Sequence, residues 1–239
     1  MRRLQWTRPV FISIALLAST GLLLFGILST VNHVGTNPTS LTTPSAPKPV
    51  GLVGPVGYST HVTSQPDPAS YVGLVENGGA TSLRDDIEWA SVEPTQGDFD
   101  WELPDEIVAQ AALHHLHALL IIDTTPRWAS GDSSTGPQRS WLPPLDPTAY
   151  GEFAAMVAAR YGPHGVFWKY HPTLSVYLPV GLELWNEENL ATFWGGDAPN
   201  PQVYTAMVKA AYPLIKKADP TMTVVLGGLS PAGAYDDVT

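Results

Sequence analysis

The stretch of this 239-residue sequence most suggestive of chemistry is GLELWNEENL, residues 181–190. Its first half is apolar and is typical of a buried strand, whereas its second half supplies Asn186, Glu187 and Glu188 behind Trp185. A carboxylic acid at the mouth of an apolar, aromatic site can have a raised pKa and act as a general acid. A neighbouring amide can donate to a substrate hydroxyl. Glycoside hydrolysis needs this combination, although NEEN is equally compatible with a solvated turn.

Alternation along this strand predicts where its side chains point. Glu183, Trp185 and Glu187 are spaced two apart, so they are expected to share the face opposite to the leucines. A buried Glu183 then needs a partner, because an unpaired buried carboxylate costs several kcal/mol. Arg84, near the end of an earlier predicted strand, is the best candidate, and Glu187 is expected to emerge at the mouth.

The elements that must position these residues alternate along the chain. Asp67 and Asp146 each precede a proline and are predicted to cap the first and third helices. Repeated strand–helix units imply parallel strands joined by right-handed crossovers. The predicted strands are 52–62, 80–89, 118–125, 180–187 and 221–230, and the predicted helices are 67–79, 103–117, 146–162 and 201–220.

Two α/β architectures fit this alternation, a doubly wound sheet and a (β/α)₈ TIM barrel. The doubly wound fold predicts a glycine-rich phosphate loop after an early strand, and GLVGPVG does not provide one. Barrel enzymes instead build their sites from several strand C-termini. Polar and aromatic residues do end successive strands here, which favours the barrel: Arg84, Asp85 and Asp86; Asp123, Thr124, Thr125 and Trp128; Asn186 and Glu187.

The number of elements falls short of a closed barrel. Five strands and four helices are predicted, whereas a full barrel has eight of each. An open five-stranded segment leaves an unpaired edge and an uncovered inner face. We therefore expect a fragment, a natural truncation, or another element that covers the edge.

Several segments resemble one family of enzymes. LELWNEENL resembles the W-N-E-P-N signature of the clan of retaining (β/α)₈ glycoside hydrolases that includes the family 5 cellulases and the family 39 β-xylosidases. DIEWASVEPTQGDFDW, LLIIDTTPRWAS, RYGPHGVFW and DPTMTVVLGGLSP resemble segments of the same barrels, in the same order. The resemblance covers roughly residue 51 to the end and is nearest to the family 39-like enzymes of bacterial cell surfaces.

The resemblance implies roles for individual residues. It makes Glu187 the acid/base, Asn186 the ligand of the hydroxyl beside the anomeric carbon, and Arg84 the arginine that supports the nucleophile. It also implies that Trp128 and Trp185 line the sugar pocket. It implies no cofactor.

The sequence departs from the family pattern in two ways. Glu188 replaces the usual proline, and the nucleophile that the family carries at the end of its seventh strand is absent from this chain. Asp85, Asp86 and Asp123 also lie at strand ends, but nothing in the sequence favours any of them as a substitute. We therefore expect no normal turnover from this polypeptide alone.

The N-terminal 51 residues predict a membrane tether. Arg2, Arg3 and Arg8 precede an uncharged run, Val10–Val31, of about the length needed to span a bilayer. The positive-inside rule then places the following chain outside the cytoplasm. A cleaved signal peptide is the alternative, and a Ser/Thr/Pro-rich linker over residues 32–51 leads into the barrel segment over 52–239.

Composition excludes several classes of partner and of metal site. The net charge of −10 argues against a nucleic-acid partner, and the absence of cysteine excludes thiolate metal sites and disulfides. His114 and His117 lie one turn apart, but they are better explained as helix-end residues than as metal ligands. The prediction is thus a surface-tethered glycosidase acting on a β-linked oligo- or polysaccharide. The alternative is an inactive, truncated domain that only binds carbohydrate, and the oligomeric state is left open.

Overall fold

The computed structural model describes residues 56–132 and 137–231. Five parallel strands form one sheet in the sequential order β1-β2-β3-β4-β5. This confirms the predicted α/β class with parallel strands, and each predicted strand is present in shorter form. The strands are β1 Gly57–Ser59, β2 Ser82–Glu88, β3 His117–Asp123, β4 Gly181–Leu184 and β5 Val224–Leu226.

Four long helices connect the strands, each near its predicted position, and short helical turns accompany them in the loops. The long helices are α1 Pro68–Asn77, α3 Glu102–Leu113, α5 Pro147–Tyr161 and α7 Pro201–Ala218. The short α-helices are α2 Trp89–Val92, α4 Arg127–Ser130 and α6 Val166–Tyr170, and 3₁₀ turns cover Val62–Ser64, Pro137–Trp141 and Ala191–Trp194.

The helix starts follow the capping chemistry of the sequence. The side chain of Asp67 accepts from the Ser70 N–H and that of Asp146 accepts from the Thr148 N–H, as predicted. Asn200 caps α7 in the same way through two backbone N–H groups. In all three cases proline occupies the first turn, where its missing N–H costs no hydrogen bond.

The outer face of the sheet forms the main apolar core against the helices. Leu83, Ile87, Leu120 and Ile122 are buried in this core, together with residues of α3 and α5. Helices α5 and α7 cross closely, since a Cβ on Gly151 would lie 3.0 Å from backbone atoms of Ala210 and Ala211. The opposite, inner face carries Arg84, Asp86, Glu88 and Glu183.

The predicted membrane anchor, residues 1–31, and the linker over 32–51 lie outside the described residues. Within the ranges 56–132 and 137–231, none of the helices has the length and apolar character to cross a bilayer.

Candidate active site

An ion pair joins β2 to β4 on the inner face. Arg84 donates from Nε to Glu183 Oε2 at 2.8 Å and from Nη2 to Glu183 Oε1 at 2.7 Å. The Gly228 N–H donates to the same Oε1 at 2.8 Å. The hydrogen bonds to Glu183 raise the pKa of Arg84 above its ordinary value. The partner that alternation predicted for Glu183 is therefore confirmed, in the bidentate geometry typical of strong Arg–carboxylate pairs.

Asn186 joins the same network. Arg84 Nη2 also donates to Asn186 Oδ1 at 2.8 Å. Because the amide oxygen is used by the arginine, the group that Asn186 can still offer to a ligand is its Nδ2 donor. The contact between this amide and a substrate hydroxyl stays a prediction.

The chain leaves the strand geometry directly after Leu184. Trp185 and Glu187 both have positive φ angles, 70° and 43°, which are uncommon outside glycine and concentrate at functional sites. The Trp185 N–H still donates to Ile122 O at 2.9 Å, and the Glu187 N–H donates to Gly228 O at 3.1 Å. This turn is therefore held by backbone bonds to β3 and to the residues after β5, and it places Glu187 at the end of the sheet.

The predicted orientation of Trp185 is wrong. Its ring is 0% exposed and packs at 6.1 Å, edge to face, against Tyr150 of α5 and against Trp141. Its indole N–H donates to Phe193 O at 2.9 Å. The positive φ at this residue ends the strand alternation, so Trp185 turns towards the helix layer instead of sharing a face with Glu183.

Glu187 lies beside an open cavity of about 360 Å³. The side chain of Glu187 is half-buried, and β5 supplies the apolar part of the wall. Trp128 and Trp185 are not part of this lining. The lining residues are Arg84, Glu183, Asn186, Glu187, Val225, Leu226, Gly228 and Leu229.

Trp128 also contacts residues of the fold and not the cavity. Its indole N–H donates to Glu93 O at 2.9 Å, and its ring meets Trp89 edge to face at 5.5 Å. It is nevertheless half-buried and not fully enclosed. The sugar contacts of Trp128 and Trp185 stay predictions.

Glu188, which the sequence marked as an extra acid, lies on the other side of the turn. Its Oε2 is buried against the α-carbon of Gly227 and has no partner within the described chain. Burial raises the pKa of Glu188. Next to it, the Tyr204 hydroxyl donates to Leu184 O at 2.9 Å and accepts from the Gly227 N–H at 2.8 Å. This hydroxyl clamps the ends of β4 and β5 together below Glu187, a contact that sequence reasoning missed.

The other acids at strand ends are arranged differently. Asp85 points away from the inner face and accepts from the Thr60 hydroxyl and the Val62 N–H at 2.7 and 2.9 Å. Asp86 faces inwards and lies 3.2 Å from His61 Nδ1. Asp123 is 1% exposed, and neither of its oxygens has a partner among the described residues. Burial and the neighbouring Asp86 and Glu88 raise its pKa well above the usual range.

The histidines of the second predicted helix serve the scaffold. His114 Nδ1 lies 2.9 Å from Glu76 Oε2, and His117 Nδ1 lies 2.8 Å from Leu178 O. No group of three or more potential ligands is close enough to hold a metal ion in the portion of the chain that the structure describes.

Several solved structures to which this chain is similar are glycoside hydrolases. A family 39 glycoside hydrolase from the gut symbiont Bacteroides cellulosilyticus WH2 matches with a TM-score of 0.52 at 22% identity, over 72% of this chain and 31% of that one. A family 39 β-xylosidase from Caulobacter crescentus matches with a TM-score of 0.52 at 19% identity, over 75% of this chain and 41% of that one. An exo-β-1,4-mannosidase from Opitutaceae bacterium strain TAV5 matches with a TM-score of 0.51 at 16% identity, over 73% of this chain and 31% of that one.

These likenesses show the fold, which is the α/β arrangement of part of a TIM-barrel glycoside hydrolase. The chain spans about a third to two fifths of the length of these structures. No protein-family model matches the chain, and no curated protein sequence matches it.

Proposed function

We propose that this chain supplies the acid/base half of a retaining glycosidase that acts on a β-linked glycan. The observation that carries the proposal is the set of groups around one cavity at the carboxyl ends of the strands. Glu187 borders the cavity, and Arg84 binds both Glu183 and Asn186 beside it. Barrel enzymes place their catalytic groups at this end of the sheet, and the fold likeness to glycoside hydrolases agrees with this assignment.

The proposed roles follow from the geometry of each group. Glu187 protonates the leaving glycosidic oxygen and then removes a proton from the incoming water, as retention requires. Asn186 donates from Nδ2 to the hydroxyl next to the anomeric carbon, because Arg84 holds its oxygen. Arg84 carries a positive charge at the floor of the cavity, where it supports a second carboxylate.

A retaining mechanism needs that second carboxyl group about 5–5.5 Å from the first. Three acids of the described inner face are already engaged, since Glu183 is bonded to Arg84, Asp86 lies against His61 and Glu88 accepts from the Ser91 hydroxyl. Burial keeps Asp123 protonated to higher pH, which is unfavourable for a nucleophile. We therefore infer that the nucleophile is supplied by other residues, as the resemblance to the retaining clan implies.

The test is turnover of aryl β-glycosides by two proteins, residues 1–239 and the product of the complete reading frame that encodes them. We expect turnover only where a second carboxylate completes the site, and we expect Glu187→Gln to abolish it. Robust, Glu187-dependent turnover by residues 1–239 would place the nucleophile within this chain. Sugar binding without turnover by the complete product would favour the non-catalytic alternative.

We further propose that residues 10–31 tether the domain to the outer side of a membrane. The uncharged run preceded by three arginines supports this proposal. Membrane fractionation and intact mass of the native protein test it. A mass that starts after the apolar run, together with release into the medium, would instead indicate a cleaved signal peptide.

A further inference from the structure

The inner face of the sheet carries several acids next to Arg84, which lines the cavity at Glu187. Arg84, Asp86 and Glu88 alternate along β2 on this face, and the arginine is already bound to Glu183 and Asn186. His61 Nδ1 lies 3.2 Å from Asp86 Oδ2. Burial and the adjacent Asp85 raise the pKa of Asp86, so these carboxylates repel one another.

Asp123 points to the same face, which is established by three observations. In the parallel register it stands opposite Glu88, and Ile121 stands opposite Asp86, so the two strands present these residues to one side. The neighbouring Ile122 lies in the core on the other side. The groups with the largest electrostatic effect on Asp123 are Asp86, Glu88 and Arg84, all of that face.

The carboxyl group of Asp123 is an unusual feature because it is buried without a hydrogen-bond partner. Neither oxygen has a partner among the described residues, and the residue is 1% exposed. A buried polar group of this kind is costly unless a partner is provided. Other acids of the region are satisfied: Asp85 by Thr60 and Val62, and Glu183 by Arg84 and Gly228.

We propose that this acid-rich face, formed by Asp86, Glu88 and Asp123, binds the ammonium group of an amino sugar in the β-linked glycan. The inference rests on the proposed function and names its substrate class. Asp86 and Glu88 meet the ammonium group at the surface, and Asp123 beneath them supplies a further negative charge when it releases its proton. An ammonium group reduces the repulsion between these three carboxyl groups, whereas a neutral or acidic sugar leaves that repulsion in place.

The groups that face Asp123 set the expected proton linkage. They are Arg84, Asp86 and Glu88 on β2, with a smaller effect from Asp85 on the other face of that strand, while Glu183 on β4 and Tyr150 on α5 approach from the other packed elements. An ammonium group adds a positive charge to this set, which favours the ionised form of Asp123. Binding of the amino sugar is therefore coupled to release of a proton.

The experiment is isothermal titration calorimetry of residues 1–239 at pH 7.5 and low salt, in two buffers of different ionisation enthalpy. The probes are the β-1,4-linked trimer of glucosamine and its fully N-acetylated counterpart, which keeps the linkage but has a neutral amide. We expect the free-amine trimer to bind about tenfold more tightly or better, as one charge-assisted contact implies. We also expect it to release protons.

Two variants and one control sharpen the test. Asp123→Asn is expected to abolish proton release and to reduce the preference for the amine, and Glu88→Gln, at an exposed position, reduces the preference without a risk to folding. Glu152 is an exposed acid on α5, in the outer layer, and Glu152→Gln makes the same charge change there. This control should change neither the preference for the amine nor the proton release.

Two results would overturn the inference: equal or absent binding of the two trimers, or an unchanged preference in both acid variants. Failure of the proposed function gives a different pattern. In that case Glu187→Gln retains aryl β-glycoside turnover in the complete protein, whatever the amine preference is.

Discussion

Glu183 and Asp123 are both buried carboxylates on neighbouring strands, yet their surroundings are opposite. Glu183 is 2% exposed and accepts two hydrogen bonds from Arg84 and one from the Gly228 N–H. Asp123 is 1% exposed and accepts none from the described residues. The first is a satisfied ion pair that positions the site. The second is a costly group, because no described residue satisfies its hydrogen bonds.

The comparison shows that a buried carboxyl group has different consequences with and without a hydrogen-bond partner. A partnered carboxylate is fixed by its hydrogen bonds and orients its neighbours, here Arg84 and through it Asn186. A carboxyl group buried without a partner keeps its proton and destabilises the fold once that proton is lost. Three predictions test this contrast, in order of decreasing effect.

The largest effect is expected from Arg84→Met. It leaves Glu183 buried without its cation, which costs about 3–5 kcal/mol in unfolding free energy. Urea unfolding of residues 1–239 measures it. Adding Glu183→Gln to Arg84→Met removes the unpaired charge and should restore part of the loss.

A control for this prediction is Arg139→Met, which removes a more exposed pair with Asp132. Because partly exposed pairs contribute little, we expect a loss of about 1 kcal/mol or less. A cost for Arg84→Met no larger than that of the control would contradict the account of the site's ion pair.

The second prediction concerns the pH dependence that Asp123 imposes. Its pKa in the fold lies well above the 3.8 of the free side chain, so the native state holds this proton more tightly than the unfolded state does. The contribution to stability is therefore complete below about pH 3.8 and is lost as the pH rises through the raised pKa.

Asp123→Asn removes this titration. We expect it to raise the unfolding free energy increasingly as the pH rises through the raised pKa of Asp123, and to change it little near pH 4, because an amide and a neutral acid are similarly polar. Unfolding curves across this pH range measure the difference. An Asn variant that is less stable than the wild type at pH 8 would show that Asp123 has a stabilising partner.

The smallest effect is expected at the clamp between β4 and β5. Tyr204→Phe removes the hydroxyl that joins Leu184 O to the Gly227 N–H and should cost about 1–2 kcal/mol. Tyr212→Phe on the same helix is the control, since that ring is half exposed and should be nearly neutral. Equal unfolding free energies for the two variants would show that the Tyr204 hydroxyl does not stabilise the contact between β4 and β5.

The sequence allowed prediction of the order of the elements and of the central ion pair. The apolar runs and capping residues placed the strands and helices, and two-residue alternation paired Arg84 with Glu183. Alternation failed at Trp185, because a positive φ at a tryptophan depends on backbone bonds to β3 and on packing against Tyr150. Such long-range contacts leave no periodic signal in the chain.

Other features of the site were also out of reach of the sequence. The sequence does not distinguish the strand-end acids Asp85, Asp86 and Asp123 from one another. In the fold, Asp85 is hydrogen-bonded on the outer face, Asp86 lies beside His61, and Asp123 has no partner among the described residues. Tyr204 is 20 residues from the carbonyl that it binds, and nothing in the spacing of α7 indicates that contact.

The most direct test of the central claim is the rate of aryl β-glycoside hydrolysis by the complete encoded protein and by its Glu187→Gln variant, across leaving groups of different pKa. If Glu187 protonates the leaving oxygen, the variant loses most activity on poor leaving groups and least on activated nitrophenols. Exogenous azide then restores turnover and gives a glycosyl azide of retained configuration. An equal loss for every leaving group, or no loss, would contradict the assignment of Glu187 as the acid/base.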